Sequence, residues 1–479
     1  MEDFISRSVK AFSKFLSAKE SILKNSGHTN LVISYALQAE NFQLDGKIDS
    51  LLNNSERSFY FEQPASGFVI IANDEILNIT ENGEGRFAIT DKKIKEWKNK
   101  VVGNLEIIGD KRIPLFLGAM KFMVEHPDNE WKDFNDSTWF IPKTIILRIK
   151  TRTYFIFNFL YSVKSSLQKG INSDNPLVNA FQTRLEYLYK IETRGNLPEL
   201  PKILKSEGGT PKDKKKWKQM ISEALEQIEK DQIKKIVLAR RIEMLLSEEP
   251  GFEKVISLFR KNYSDCFLFI LHFNKSYFFG ATPEVLAKFS DSRVELDALA
   301  GSAPRGKDEK EDKELERQLL SSGKDIAEHN FVIDHIKNSL SSACDEITEK
   351  EKFLIRKLPN IQHILSIISA KVKPENSVLS VLKEIYPTPA VCGSPQLDAL
   401  HLIRRLENFK RGLYSGIIGW FNFENEGDFV IALRSALSYG NKLIAYAGSG
   451  IVEHSESEAE FAETELKLKP ILSLFKNEN

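Results

Sequence analysis

Glu460, Glu463 and Lys467 fall within about 60° of one another on a helix that advances about 100° per residue, so two carboxylates and an ammonium share one face. Just upstream, Gly448-Ser449-Gly450 leaves backbone with almost no side chain above it, open to close approach by a ligand. Carboxylate oxygens are the donors a hard divalent cation takes, and a cation or a lysine beside such backbone suits an anionic substrate. Ser455 with Glu458 three residues on has the form of a capping box and predicts a helix from about Glu456. Ala459, Ala462 and Leu466 make the adjoining stripe, predicted to pack on the core. A metallohydrolase built on His454, Glu460 and Glu463 would need an HExxH-like pattern or a second histidine at ligand spacing, and the sequence has neither.

The elements that must position this face occupy a chain of 479 residues, enough for two or three domains or one large unit. Lys plus Arg and Asp plus Glu number 67 each, so no net field invites nucleic acid. Three dispersed cysteines, Cys266, Cys344 and Cys392, with no CxxC give no zinc signal and fit a reducing compartment. The opening MEDFISRSVKAFSKFL lacks a signal-peptide core, and no apolar run reaches the roughly 18 residues of a membrane span. The expectation is a soluble, cytoplasmic chain with no membrane partner, monomeric or weakly dimeric.

No internal repeat is present. FVIIAN (68–73) and TIILRI (144–149) read as strands, and the turn-rich KSEGGTPKDKKKWKQ after residue 204 marks a boundary between portions 1–205 and 214–475. KWKQMISEALEQIEK spaces Trp217, Met220, Ile221, Ala224, Leu225 and Ile228 as an amphipathic helix, and KKIVLARRIEMLL follows as a strand. CFLFILHFNKSYFFG predicts a hairpin about Asn274-Lys275, two helical segments lie between Lys310 and Ser342, and 413–448 predicts three antiparallel strands. Strands clustered in meanders between helices predict an α+β fold with antiparallel sheets flanked by helices, against a doubly wound dinucleotide fold.

Ordered motifs then suggest a family. KIVLAR (235–240), GATPEVL (280–286), ALAGSAPRG (298–306), EHNFVIDHI (328–336), PTPAVCGSP (387–395), GDFVIALRSA (427–436) and the Gly448 segment resemble those of the chorismate-utilising enzymes, strongly over 214–475 and loosely before it. The resemblance implies a single large chorismate-binding fold and, within the family, the isochorismate synthase branch: Mg²⁺-dependent, reversible exchange in which water adds at ring carbon 2 as the hydroxyl on carbon 4 leaves. Its product serves quinone or siderophore assembly. The resemblance makes Lys235 the base and Glu284 the acid, and gathers Glu328, Glu460 and Glu463 around Mg²⁺. It places Leu299, Ala300, Gly301, Ser302, His363, Ala390, Tyr414, Arg434, Gly448, Gly450 and Lys467 against chorismate, with Tyr414 and Arg434 on the enolpyruvyl carboxylate. A base of this kind works as the neutral amine, which burial beside Val237 and Ala239 favours. Periodicity alone leaves the choice between Lys234 and Lys235 open.

Within the family the nucleophile and the fate of the pyruvyl group vary. Ala300 stands where aminodeoxychorismate synthases carry lysine, and Ala390 where lyase-type members usually carry threonine, which argues against salicylate synthase and anthranilate synthase chemistry. Ser302 keeps the hydroxyl of the commoner threonine. Tyr386 replaces a frequent histidine, so no role is carried over to it, and Ser449 replaces a usual alanine.

Overall fold

The computed structural model describes residues 1–104, 108, 113–125, 129–163, 175–193, 197–357 and 361–475. The chain forms two compact units: one of residues 1–284, 387–423 and 431–479, the other of 285–386 and 424–430. Helices and antiparallel sheets occur in both, giving the α+β class that the meanders predicted.

In the first unit a long sheet runs Ile203–Glu207, Lys235–Leu246, Lys442–Ile451, Ser435–Tyr439, Ser276–Thr282, Phe267–Phe273, Arg57–Gln63, Phe68–Asn73, Thr144–Ile149, Arg152–Ser162, Asn30–Gln38 and Val101–Gly103. Only its last pairing, Asn30–Gln38 with Val101–Gly103, is parallel among those described. The strands FVIIAN and TIILRI are as predicted and pair with one another. The hairpin at Asn274-Lys275 closes Phe273 onto Ser276. Aromatic packing carries the core: the helices Glu2–Asn25 and Pro176–Lys190 press Phe12 and Phe181 together at 4.5 Å over the sheet. The turn-rich stretch after residue 204 takes in the end of the strand Ile203–Glu207, the turn at 208–210 and the first half of the helix Pro211–Glu229, two elements of this same unit. That helix buries Trp217, Ile221 and Ala224, and a capping box of Thr210 and Asp213 starts it.

The second unit is a sheet in the order Cys344–Lys357, Ile361–Val372, Arg293–Pro304, Val285–Ser290, Gly427–Ile431, with the helices Glu309–Ser321 and Gly323–Leu340. The three strands expected over 413–448 are four: Ile417–Phe421, Gly427–Ile431, Ser435–Tyr439 and Lys442–Ile451. They do not form one meander, because Gly427–Ile431 pairs with Val285–Ser290 while Ser435–Tyr439 pairs with Ser276–Thr282.

The helix of the opening motif spans Ser457–Leu472, and two expectations for it are corrected. Its N-cap is Glu456 without a side-chain cap. Ser455 instead accepts from Val452 N at 3.2 Å and donates to Glu460 Oε1 at 2.8 Å, so its hydroxyl serves the turn and a glutamate. The core-facing stripe is Phe461, Thr464, Leu468 and Ile471, while Leu466 is 63% exposed and Ala459 and Ala462 are exposed. Phe461 decides this: its large ring packs edge-on to Trp217 and under the Arg240 guanidinium at 4.0 Å. Thr464 is buried at no cost in unmet polarity, since its hydroxyl donates to Phe461 O and accepts from Arg240 Nε, both at 2.6 Å.

Candidate active site

In the first unit the strand Lys235–Leu246 pairs antiparallel with Lys442–Ile451 so that Val237 faces Gly450 and Ala239 faces Gly448. Paired residues share a face of the sheet and alternate residues lie on the same face, so Lys235, Val237, Ala239, Gly448 and Gly450 all lie on one surface. The two glycines leave that surface bare, and neighbouring side chains occupy the space. A Cβ on Gly450 would stand 3.2 Å from Lys235 Cε, and one on Gly448 would stand 3.1 Å from the Tyr414 hydroxyl oxygen. Lys235 lies across the glycine platform, whereas Lys234 is 70% exposed and pairs with Asp231. Gly450→Ala is expected to displace the Lys235 side chain and lower turnover about 10- to 100-fold. Its thermal midpoint should stay near wild type, and comparing the two measurements checks this.

Tyr414 is 3% exposed and stacks on Tyr446 at 5.3 Å. Burial pushes its phenol up to about 12, so at neutral pH it offers an O–H donor beside Gly448. What holds it there was not foreseen in the sequence. Arg411, fully buried, donates from Nε to Glu407 Oε2 at 2.9 Å and from Nη2 to Glu407 Oε1 at 2.5 Å. It also reaches Val237 O at 2.7 Å and Val391 O at 2.9 Å, and Glu407 Oε1 accepts from Ala239 N at 2.8 Å. One ion pair therefore ties the lysine strand, the Ala390 turn and the Tyr414 loop together. Burial works against the Arg411 charge, and the Glu407 carboxylate more than offsets it, holding the guanidinium above its ordinary value. Next to it Gly412 has φ +53, and a Cβ there would meet the Trp131 ring at 2.1 Å, so only glycine fits the turn. The signal was available: Glu407 and Arg411 stand four apart immediately before Gly412 and Tyr414. Arg411→Met should cost about 3–5 kcal/mol, because it strands a buried carboxylate; the denaturant midpoint reads this.

Arg434 sits between strands with φ +49, a conformation that favours glycine, and its carbonyl accepts from Ala281 N at 3.2 Å. Glu284 closes the GATPE turn, with its N–H on Thr282 Oγ1 at 3.2 Å and its carbonyl accepting from Ile431 N at 3.0 Å. Ala390 is exposed at the turn that Cys392 N closes onto Thr388 O at 3.0 Å. Cys392 is no nucleophile, since burial pushes its thiol up to about 12.

Glu460 and Glu463 stand on the helix Ser457–Leu472, which meets these two strands through Ser449 and Arg240, on the face opposite Gly448 and Gly450. Glu460 accepts from the Ser449 and Ser455 hydroxyls. Glu463 pairs with Lys467 at 2.5 Å, and Lys467 Nζ also donates to Gly448 O at 3.1 Å. Among the described residues, no group of three or more His, Cys, Asp or Glu is placed to hold a metal. The chemistry of the pair is that of hard oxygen donors, which fits Mg²⁺ rather than a softer ion.

The second unit carries the remaining candidates. Gly301 forms a bulge at φ +74 in the strand Arg293–Pro304, between Ala300 and Ser302. A Cβ on it would stand 3.1 Å from Asp325 Cβ, so the first turn of the helix Gly323–Leu340 packs closely here. The same helix presents Glu328 exposed. Beyond the bulge Ser302 Oγ lies 2.8 Å from His363 Nδ1, its cross-strand partner, and burial lowers the His363 pKa. Leu299 and Ala300 precede the bulge half-buried.

Residues 15–476 match the chorismate binding enzyme family. The chain belongs to that family. It is 26% identical over 427 residues to the isochorismate synthase MenF of Bacillus subtilis, a match covering 87% of each chain. It is 36% identical over 261 residues to anthranilate synthase component 1 of Saccharolobus solfataricus, covering 54% of this chain and 62% of that one. The solved structure of MenF, the menaquinone-specific isochorismate synthase of Escherichia coli, shares the fold. It superposes with a TM-score of 0.74 at 21% identity, covering 96% of this chain and 99% of that chain.

Proposed function

We propose that this chorismate-binding chain is an isochorismate synthase. Water attacks ring carbon 2 of chorismate while Lys235 takes its proton; both conjugated ring double bonds move one position, from carbons 1–2 and 5–6 to carbons 1–6 and 4–5, the carbon 4–oxygen bond breaks, and Glu284 protonates the departing hydroxyl. Atoms and charge balance: one water enters, one leaves, and the product is an isomer. Arg434, through its bidentate fork, and the Tyr414 O–H hold the enolpyruvyl carboxylate. Lys467 and the backbone at Gly448 and Gly450 receive the ring carboxylate. Mg²⁺ held by Glu460 and Glu463 would supply charge neutralisation at that ring carboxylate.

The observation that carries this reading is the amine of Lys235 laid over a glycine platform beside a neutral, buried tyrosine hydroxyl. Supporting the isochorismate branch, the Bacillus subtilis relative matches along 87% of this chain, against 54% for the anthranilate synthase component. Ala300 and Ala390 point the same way. Incubation with chorismate and Mg²⁺ should give a product of unchanged mass whose NMR spectrum is that of isochorismate. Coupling to lactate dehydrogenase should show no stoichiometric pyruvate, with or without ammonium. Rapid pyruvate release would place the chain with the lyases instead.

A further inference from the structure

A cavity of about 310 Å³ in the first unit, lined by Phe4, Glu40, Phe42, Gln43, Lys47 and Tyr189 among others, has no part in the reaction described above. Its walls are aromatic. Tyr189 meets Phe4 at 5.7 Å and Phe42 at 5.9 Å, both edge-to-face, and Phe42 packs on Phe155 at 4.9 Å. The Tyr189 hydroxyl is fixed, donating to Glu40 O at 2.7 Å and accepting from Glu40 N at 3.2 Å.

Lys47 is 6% exposed and lines this cavity. Its ammonium donates to Ile191 O at 2.6 Å and lies 5.2 Å from the Phe42 centroid. Among the described residues no carboxylate stands within ion-pair distance of it. A buried cation satisfied by one carbonyl and a ring face is left short of an anion, and burial accordingly lowers its pKa. Glu40, at the cavity, is already paired with Arg7 at 3.2 Å. One ammonium beside that carboxylate favours a ligand bearing a single negative charge over a phosphate bearing two.

We propose that this cavity binds a small aromatic monocarboxylate, its ring against Phe4, Phe42 and Tyr189 and its carboxylate on Lys47 Nζ, whatever reaction the chain catalyses. The volume admits a single ring with its substituents. Calorimetric titration of the full chain with benzoate tests this, with benzamide as the neutral isostere. Benzoate should bind saturably, at least about tenfold more tightly than benzamide, because the charge-assisted contact is lost in the amide. Lys47→Gln should weaken benzoate about tenfold or more, Lys47→Arg should retain part of the affinity, and turnover of both should match wild type. Absence of benzoate binding, equal affinity for benzamide, or benzoate binding unchanged in Lys47→Gln would each overturn the assignment. If Lys47→Gln does not fold, Phe42→Leu keeps the ammonium and removes a wall; benzoate affinity equal to wild type in that variant is equally fatal.

Discussion

Lys235→Ala is expected to lower turnover by about 10² to 10⁴ in both directions of the isomerisation, with chorismate still bound. Glu284→Gln should fall by the same order. Exchange of one hydroxyl for another is nearly symmetric, so the two residues swap tasks in reverse: protonated Lys235 delivers a proton and ionised Glu284 accepts one. A loss confined to one direction would break that pairing of roles. The control is Lys234→Ala, which removes an exposed lysine whose partner is Asp231, and it should cost little. Steady-state rates measured from both chorismate and isochorismate decide the matter. If Lys234→Ala is the inactive variant and Lys235→Ala the active one, the register of the strand's chemistry is wrong.

Excess chelator is expected to abolish turnover, by at least about 10³-fold, and added Mg²⁺ to restore it. A substrate with two carboxylates needs charge neutralised, and the carboxylates of Glu460 and Glu463 are only lightly engaged. Glu463 is held by Lys467 across a half-exposed pair, and Glu460 by two serine hydroxyls; neither contact is strong enough to withstand a divalent ion. Glu463→Gln should therefore raise the Mg²⁺ concentration needed for half-maximal rate and the KM for chorismate, while the thermal midpoint of the metal-free protein changes little. Full activity in excess chelator would refute the metal's role outright.

The sequence made these strands legible because short runs rich in β-branched and aromatic residues are bounded by turn residues: FVIIAN, TIILRI and the Asn274-Lys275 hairpin stand where those runs put them. The helix Ser457–Leu472 was legible as a helix but not in its orientation. It carries apolar residues on two sides, and only tertiary packing chooses Phe461 over Leu466. Thr464 reads as polar in sequence and is core in the fold because Arg240, more than 200 positions away, meets its hydroxyl. Separations of 168 and 174 positions from the strand it holds likewise hid the Glu407–Arg411 pair. An i,i+4 glutamate and arginine look like surface decoration until the strand whose backbone they hold is placed beside them. Lys235 was distinguished from Lys234 by motif alone; in the fold Lys235 lies near Gly450, which pairs with Val237, whereas Lys234 is exposed beside Asp231.

The pairing of Lys235–Leu246 with Lys442–Ile451 has a consequence for how the protein is made. About 200 residues separate the two strands, which at about 5–20 residues per second is about 10–40 s of ribosomal synthesis. Throughout that interval the lysine strand lacks its Lys442–Ile451 neighbour, and the platform beneath its amine does not exist. Nascent chains halted before residue 442 should accordingly be good clients for chaperones that recognise open β-edges. Catalytic competence should arrive with the strand Lys442–Ile451 rather than accumulate gradually.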